Sequence, residues 1–342
     1  GFSLLAVALG GPASADTNPG STTTLAGVGS DTSQDVMEGL SGIILDGGVP
    51  AISNYKATPV GRSITTRTGV ATCTFTAPKN SGEGRDALSA AMRSAAFNGS
   101  TNLAGCVSFA RSSSGGNPTV SPGIGSMTYI PFATDAVSYA TLGTSDVPHK
   151  LAKSDLVAIY TANGVPGSAA CIFQPLLPPL GSGTRTFFVQ SLGLADVAIG
   201  AAGGPGTCVQ DTLNGVGVQE HDGRFLTNAE QLAPFSSSQY IGQSTDAIPN
   251  QLGRAVLGAI DFTAVPNANL TGATSSVQLN AGFTFSRPLF NVVPTTETVG
   301  NTLTQRTFVG PTSAVCSNPA TITLFGLALN PTCGDITKKN TN

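Results

Sequence analysis

Four short turns in the sequence combine glycine with hydroxyl or guanidinium side chains. They are "GVGSDTS" at 27–33, "KNSGEGR" at 79–85, "FARSSSGG" at 109–116 and "LGSGTRTFF" at 180–188. Such turns suit an oxyanion: a helix N-terminus presents unpaired N–H groups and about half a positive charge, and glycine lets backbone come close to a bound group. Hydroxyls add neutral donors, and Arg85, Arg111 and Arg185 offer planar forks that match carboxylate or phosphate. Each turn alone also reads as an ordinary helix cap, since Ser, Thr and Asp are favoured there. Their recurrence in one chain is what points to a shared ligand.

The elements that must position these turns read as alternating strands and helices. In "SQDVMEGLSGIIL", Val36, Leu40, Ile43 and Ile44 fall at helical spacing, with Asp31 or Thr32 as the cap and Asp35 completing a capping box after Thr32. "GRDALSAAMRSAAF" repeats the pattern through Leu88, Met92 and Ala95 or Ala96, and "AKSDLVAIYTANG" through Leu156, Ile159 and Tyr160 up to Gly164. "GTRTFFVQSLGL" opens another helix, and one starts near Ser236 to Ser238. "CVSFA" and "MTYIPFA" are short runs rich in β-branched and aromatic residues and read as strands. The alternation predicts α/β layers around a largely parallel sheet. From Gly272 onward the sequence reads as Thr-rich, strand-like segments without clear helices.

Composition bounds what such a fold can do. The 342 residues suffice for one large or two medium domains. With 16 Lys plus Arg against 19 Asp plus Glu, the net charge is −3, which excludes a broad basic surface and with it nucleic acid as a partner. The first fifteen residues, "GFSLLAVALGGPASA", are an apolar run ending in Ala13-Ser14-Ala15, the small-residue pattern of a signal-peptidase site before Asp16. Residues 1–15 are therefore set aside as a residual signal peptide, with a buried N-terminal strand as the alternative. No other stretch is apolar for the roughly 18 residues of a membrane span.

Six cysteines, Cys73, Cys106, Cys171, Cys208, Cys316 and Cys333, suit an exported, extracellular or surface protein. Of the possible pairings the sequential one is expected: Cys73 with Cys106, Cys171 with Cys208, Cys316 with Cys333. There is no Cys-x-x-Cys and only two histidines, so no metal site is expected, and no cofactor.

"GVGSDTSQDVM", "FARSS" and "GSGTRTFF" resemble the segments that line the ligand cleft in the phosphate-binding proteins of ABC transporters, in particular their secreted, actinobacterial-looking branch. In order and spacing the resemblance covers nearly all of the chain after residue 15, and it is most specific in Gly181-Ser182-Gly183-Thr184. It implies an α/β, two-lobed periplasmic-binding-protein fold of type II that closes on its ligand like a trap. It also implies chain crossings near Tyr129 to Pro131 and near Pro234 to Ser238, so that residues 16–130 plus 236–342 form lobe one and 131–235 form lobe two.

The ligand contacts that the resemblance implies are Ser30, Asp31 and Thr32, Ser81, Ser112 and Ser113, and Ser182, Gly183 and Thr184; Arg111, Gly181 and Arg185, from the same turns, complete the expected set. Two departures stand out. Ser113 occupies the place where the family has an aspartate that accepts the proton of hydrogen phosphate, and Pro178 stands where an arginine is common. Arg185 is the candidate substitute for that arginine. Asp31 has two readings, as the missing proton acceptor or as the cap of its helix.

The resulting expectation is a monomeric, exported binding protein for phosphate or another small oxyanion, with an ABC permease as its partner. An enzyme is not expected. Ser182 lacks the Gly-x-Ser-x-Gly pattern of a nucleophile elbow because Leu180 stands two residues before it, and "QEHDGRF" with His221 reads as a surface turn. The alternatives are a secreted surface or matrix protein that keeps the fold without transport, and a phosphatase.

Overall fold

The computed structural model describes residues 16–115, 126–261, 279–280 and 283–341. The signal-like segment 1–15 lies outside the described residues, as does most of the stretch from Gly272 to residue 282.

One ten-stranded sheet runs through the molecule. Its strands are β1 (Leu25–Gly29), β2 (Ile52–Asn54), β3 (Phe109–Ser112), β4 (Ser126–Leu142), β5 (Gln174–Pro175), β6 (Gln231–Ser236), β7 (Ala255–Leu257), β8 (Ser286–Pro294), β9 (Ala328–Leu329) and β10 (Lys339–Thr341). The order is β5-β6-β4-β8-β3-β1-β2, with β7, β9 and β10 also pairing to β4. Parallel pairing joins β1 to β2 and β3, and β5 to β6. Every partner of β4 is antiparallel to it, so the sheet is mixed where the alternation predicted a largely parallel one. The reason is local: β4 and β8 are long neighbouring strands that run in opposite directions and are not joined as a βαβ unit.

Strand β4 is 17 residues long and almost wholly buried. Successive side chains of a strand point to opposite faces, so a strand covered on both faces reads as a continuous apolar run. Met127 and Tyr129 join the core under α2 (Ser81–Met92), whereas Ile130 and Phe132 join the core under α1 (Gln34–Ile43), α6 (Leu303–Phe308) and α7 (Pro319–Leu324). Further along, Val137 and Tyr139 pack with α3 (Lys153–Thr161) and α4 (Gly183–Ser191), and Ala140 and Leu142 face Leu176, Phe235 and Leu252. α5 (Ser237–Ser244) follows β6 directly. The short helices α6 and α7 correct the expectation that the C-terminal third lacks helices.

Helix starts decide which turn residues remain available. Asn80 caps α2 by accepting from Glu83 N, Ser182 caps α4 by accepting from Arg185 N, and Ser236 caps α5 by accepting from Gln239 N. α1 differs from the expected capping box: it begins at Gln34 with Ser33 at the N-cap and no side-chain cap bond, so neither Asp31 nor Thr32 is spent on capping. Gly29, at φ +104°, and Gly84 have no Cβ, and this lets the end of β1 and the first turn of α2 come into backbone contact.

The cysteines pair sequentially, as Cys73–Cys106, Cys171–Cys208 and Cys316–Cys333. Each closes a local loop of a kind worth about 2–4 kcal/mol. Among the described residues no helix is long and apolar enough to cross a membrane.

Candidate functional site

The N-terminal ends of α2 and α4 meet. Gly82 N donates to Gly181 O at 3.1 Å, and a Cβ on Gly183 would stand 2.2 Å from Ser113 Oγ and 2.6 Å from Ser81 Oγ. Ser81 Oγ lies 3.1 Å from Ser113 Oγ and accepts from Ser113 N at 3.0 Å. Thr32 Oγ1 lies 3.4 Å from Thr184 Oγ1. Members of all four turns thus converge on one buried cage of hydroxyls and first-turn N–H groups, the latter without intrahelical partners. Ser30 is not tied to it: its backbone bonds Arg111, and its Oγ is buried and bonded to no described residue.

Two predicted arginines are not in this cage. Arg111 donates from Nε to Ser30 O, from Nη1 to Gly27 O and Asn54 Oδ1, and from Nη2 to Gly29 O and Tyr55 O. A guanidinium has five N–H donors, so Arg111 is saturated by its own surroundings and has none for a ligand. Arg185 pairs with Asp196 and Asp211 and donates to Pro178 O and Val197 O. Both arginines correct the expectation and brace backbone instead. Ser112 is also turned aside: its Oγ accepts from Arg85 Nη1 at 2.7 Å and donates to Ser114 O. Arg85 is buried and also donates from Nη1 to Ser114 Oγ at 3.2 Å.

Arg287 takes the position toward the cage instead. It stands directly opposite Asp135 across the β4–β8 pair and bonds it at 2.8 Å, both side chains being buried. Ser236 Oγ and Ser238 N also donate to Asp135, which completes the carboxylate's partners. The Arg287 fork then reaches Thr184 Oγ1 at 2.8 Å and Ser113 O at 3.3 Å, with the Phe187 ring 5.6 Å away.

On the other side of Thr184 stands Glu220. Its Oε1 accepts from Thr184 Oγ1 at 2.9 Å and from Thr32 Oγ1 at 3.0 Å, and Oε2 lies 3.4 Å from Ser182 Oγ. Asp31 and His221 adjoin it: His221 Nδ1 is 3.4 Å from Asp31 Oδ2, within ion-pair range but off the line of a hydrogen bond. Thr32 N donates to Asp31 Oδ1, Gln239 Nε2 to Thr32 O, and Gln243 Nε2 to His221 O. "QEHDGRF" is therefore not a plain surface turn, because Glu220 and His221 are buried.

The electrostatics of this trio are tense. Burial and the neighbouring Asp31 charge push Glu220 up to about 7. Burial works against the charged His221, yet the Asp31 carboxylate outweighs it and carries the imidazole up to about 9. Burial likewise works against ionised Asp31, but His221 overcomes it and holds the carboxyl below its ordinary value. Next to the trio lies a cleft of about 1000 Å³, lined by Gln34, Lys56, Pro179, Gln219, His221 and Gln239 among others.

Glu220, Arg287 and Asp135 were not singled out from the sequence. The only signal was a weak one, that Glu220 precedes the chain's second histidine.

No protein-family model matches the chain, and no curated protein matches it. Solved structures do. An ABC-type phosphate transport receptor from Vibrio cholerae aligns with 13% identity over 90% of this chain and 100% of its own, at a TM-score of 0.50. A protein of Clostridium perfringens, described as a phosphate ABC transporter substrate-binding protein and solved with bound phosphate, aligns with 13% identity over 90% of this chain and 99% of its own, at a TM-score of 0.53. At this identity the likeness shows the fold alone. It is the two-lobed α/β periplasmic-binding-protein fold with a cleft between the lobes.

Proposed function

We propose that the chain is an exported solute-binding protein that captures a small oxyanion, phosphate foremost, by closing its two lobes, and performs no chemistry of its own. The observation that carries this reading is the meeting of Ser81, Ser113, Gly183 and Thr184 at the facing N-terminal ends of α2 and α4. Neutral donors and helix termini of this kind hold an anion without leaving a buried charge when it departs. Arg287 adds a cation within reach of the same hydroxyls. One aligned structure is described as a phosphate transport receptor and the other as a substrate-binding protein with bound phosphate, which supports the choice of ligand.

In this reading residues 16–130 plus 236–342 form one lobe and 131–235 the other. α2 brings Ser81 from the first lobe, the Gly181–Thr184 turn comes from the second, and β4, β6 and β8 flex where Asp135 ties them. Ligand binding biases the open–closed equilibrium toward contact of the lobes. A permease of the ABC class is the proposed recipient, and the three disulfides agree with an oxidising compartment.

Glu220 complicates the anion's entry, since its carboxylate accepts hydroxyls that a phosphate would otherwise take. An arriving anion has to displace this carboxylate or meet it with its charge offset.

The test is a thermal melt of the dialysed chain against phosphate, arsenate, sulfate, phosphonates, sugars and amino acids. A ligand at 100 times its Kd adds about 2.7 kcal/mol, a midpoint shift of roughly a few degrees for a chain of this size. A shift with phosphate that Thr184→Ala removes supports the reading. A shift only with an amine or a sugar moves the ligand class. Silence across the panel favours the second reading, a secreted surface protein that retains the fold, to which the low charged content of 10% is suited.

A further inference from the structure

We infer that Asp31, Glu220 and His221 form a binding site for one divalent transition-metal ion, with zinc the best fit. One ligand atom from each lies within 4.8 Å of the others, and all three residues are buried. The 3.4 Å between His221 Nδ1 and Asp31 Oδ2 matches the edge of about 3.4 Å expected between two ligands of a tetrahedral ion with bonds of about 2.0–2.1 Å. Nδ1 is more than nine-tenths buried, aims at the carboxylates, and makes no hydrogen bond with a described residue.

The outer contacts are arranged as a metal site requires. Asp31 Oδ1 accepts from Thr32 N and Glu220 Oε1 from two threonine hydroxyls, which leaves Asp31 Oδ2 toward the histidine and Glu220 Oε2 with only the 3.4 Å contact to Ser182. Such second contacts fix ligand orientation and raise affinity. Charge points the same way. Two buried carboxylates repel each other, and a dication would balance both while the imidazole binds as the neutral ligand. One nitrogen with two carboxylates suits zinc or manganese better than magnesium or calcium, which favour all-oxygen shells. His221 also lines the cleft, which gives an ion a path inward.

The inference stands apart from the anion reading, although a cation here would supply the charge offset that an anion beside Glu220 needs. The test is calorimetric titration of the untagged, chelator-stripped full chain with zinc chloride in phosphate-free buffer. One ion per chain is expected, with that stoichiometry lost in His221→Ala and in the near-isosteric Glu220→Gln. Thr184→Val, which removes an outer contact of Glu220 together with the hydroxyl that Arg287 reaches, should weaken binding by about 10-fold or more. His149→Ala, at the other histidine, should leave binding unchanged. Circular dichroism verifies that each variant is folded, and Glu220→Gln carries the test if His221→Ala is not. No zinc uptake by the folded wild-type chain, or equal uptake by the folded variants, overturns the inference whatever the phosphate melt shows.

Discussion

Two buried polar clusters share Thr184, and they are built on opposite terms. On one side, Arg287 and Asp135 pair across adjacent strands, and Ser236, Ser238 and Thr184 occupy their remaining positions. On the other, Glu220, Asp31 and His221 bring two acids and an imidazole nitrogen together with fewer donors than acceptors. Fully bonded buried pairs hold a geometry, while partly bonded clusters leave free energy to be gained by a partner from outside. The contrast separates the part of the site that maintains its shape from the part that waits for something.

Mutations can break that contrast or sharpen it. Arg287→Met should have the largest effect, since it leaves Asp135 buried without its cation; a loss of about 3–5 kcal/mol is expected in urea unfolding. A loss below about 1 kcal/mol would show that the pair contributes little to the scaffold. Thr184→Val removes the hydroxyl that both clusters use and should cost about 1–3 kcal/mol, with the phosphate-induced melting shift gone as well. A retained shift would take Thr184 out of the ligand's reach.

Gly183→Ala tests the contact between the helix ends. Its methyl would press on Ser81 and Ser113, so the two helix ends should part at a cost of about 1–3 kcal/mol, read as a larger radius of gyration by small-angle scattering. An unchanged radius would mean that the two serines simply rotate away. The smallest effect belongs to Glu220→Gln, expected to lie within about 1 kcal/mol of wild type, because the amide keeps an acceptor for the threonines while the repulsion from Asp31 disappears. Destabilisation as large as that of Arg287→Met would make the two clusters equivalent and dissolve the comparison.

Much of this was legible in local sequence. Glycine and hydroxyl residues ahead of a periodic apolar run mark a helix start, so α2, α4 and α5, and with them Ser81 and Ser182, were within reach of the pattern. The sequential disulfide pairing was expected and is observed, although six cysteines allow fifteen pairings and their spacing does not choose among them. The arginines were not: residue type announces a guanidinium but not its surroundings, and Arg111 and Arg185 are absorbed by carbonyls and acids that only the fold brings near. Glu220 meets Thr32 across 188 residues, and Arg287 meets Asp135 across 152. Contacts of that range leave no spacing to read. The expectation of no metal site rested on the missing Cys-x-x-Cys and the two histidines, and Asp31 lies too far in sequence from Glu220 and His221 to form a ligand spacing that could have overridden it.

Strand β4 has one further consequence, and it concerns time. Its neighbours β8 and β10 come from residues 286–294 and 339–341, so the strand made at 126–142 waits for partners that emerge from the ribosome more than 140 residues later. Until β8 arrives, no described strand hydrogen-bonds β3 to β4, and among the described residues the β1-β2-β3 layer has no paired seam to the rest of the sheet. Assembly is therefore dominated by non-local pairing, the slow regime of folding. A chain lacking everything from residue 286 onward would carry two half-sheets unpaired with each other, and the cleft would form only once β8 is present.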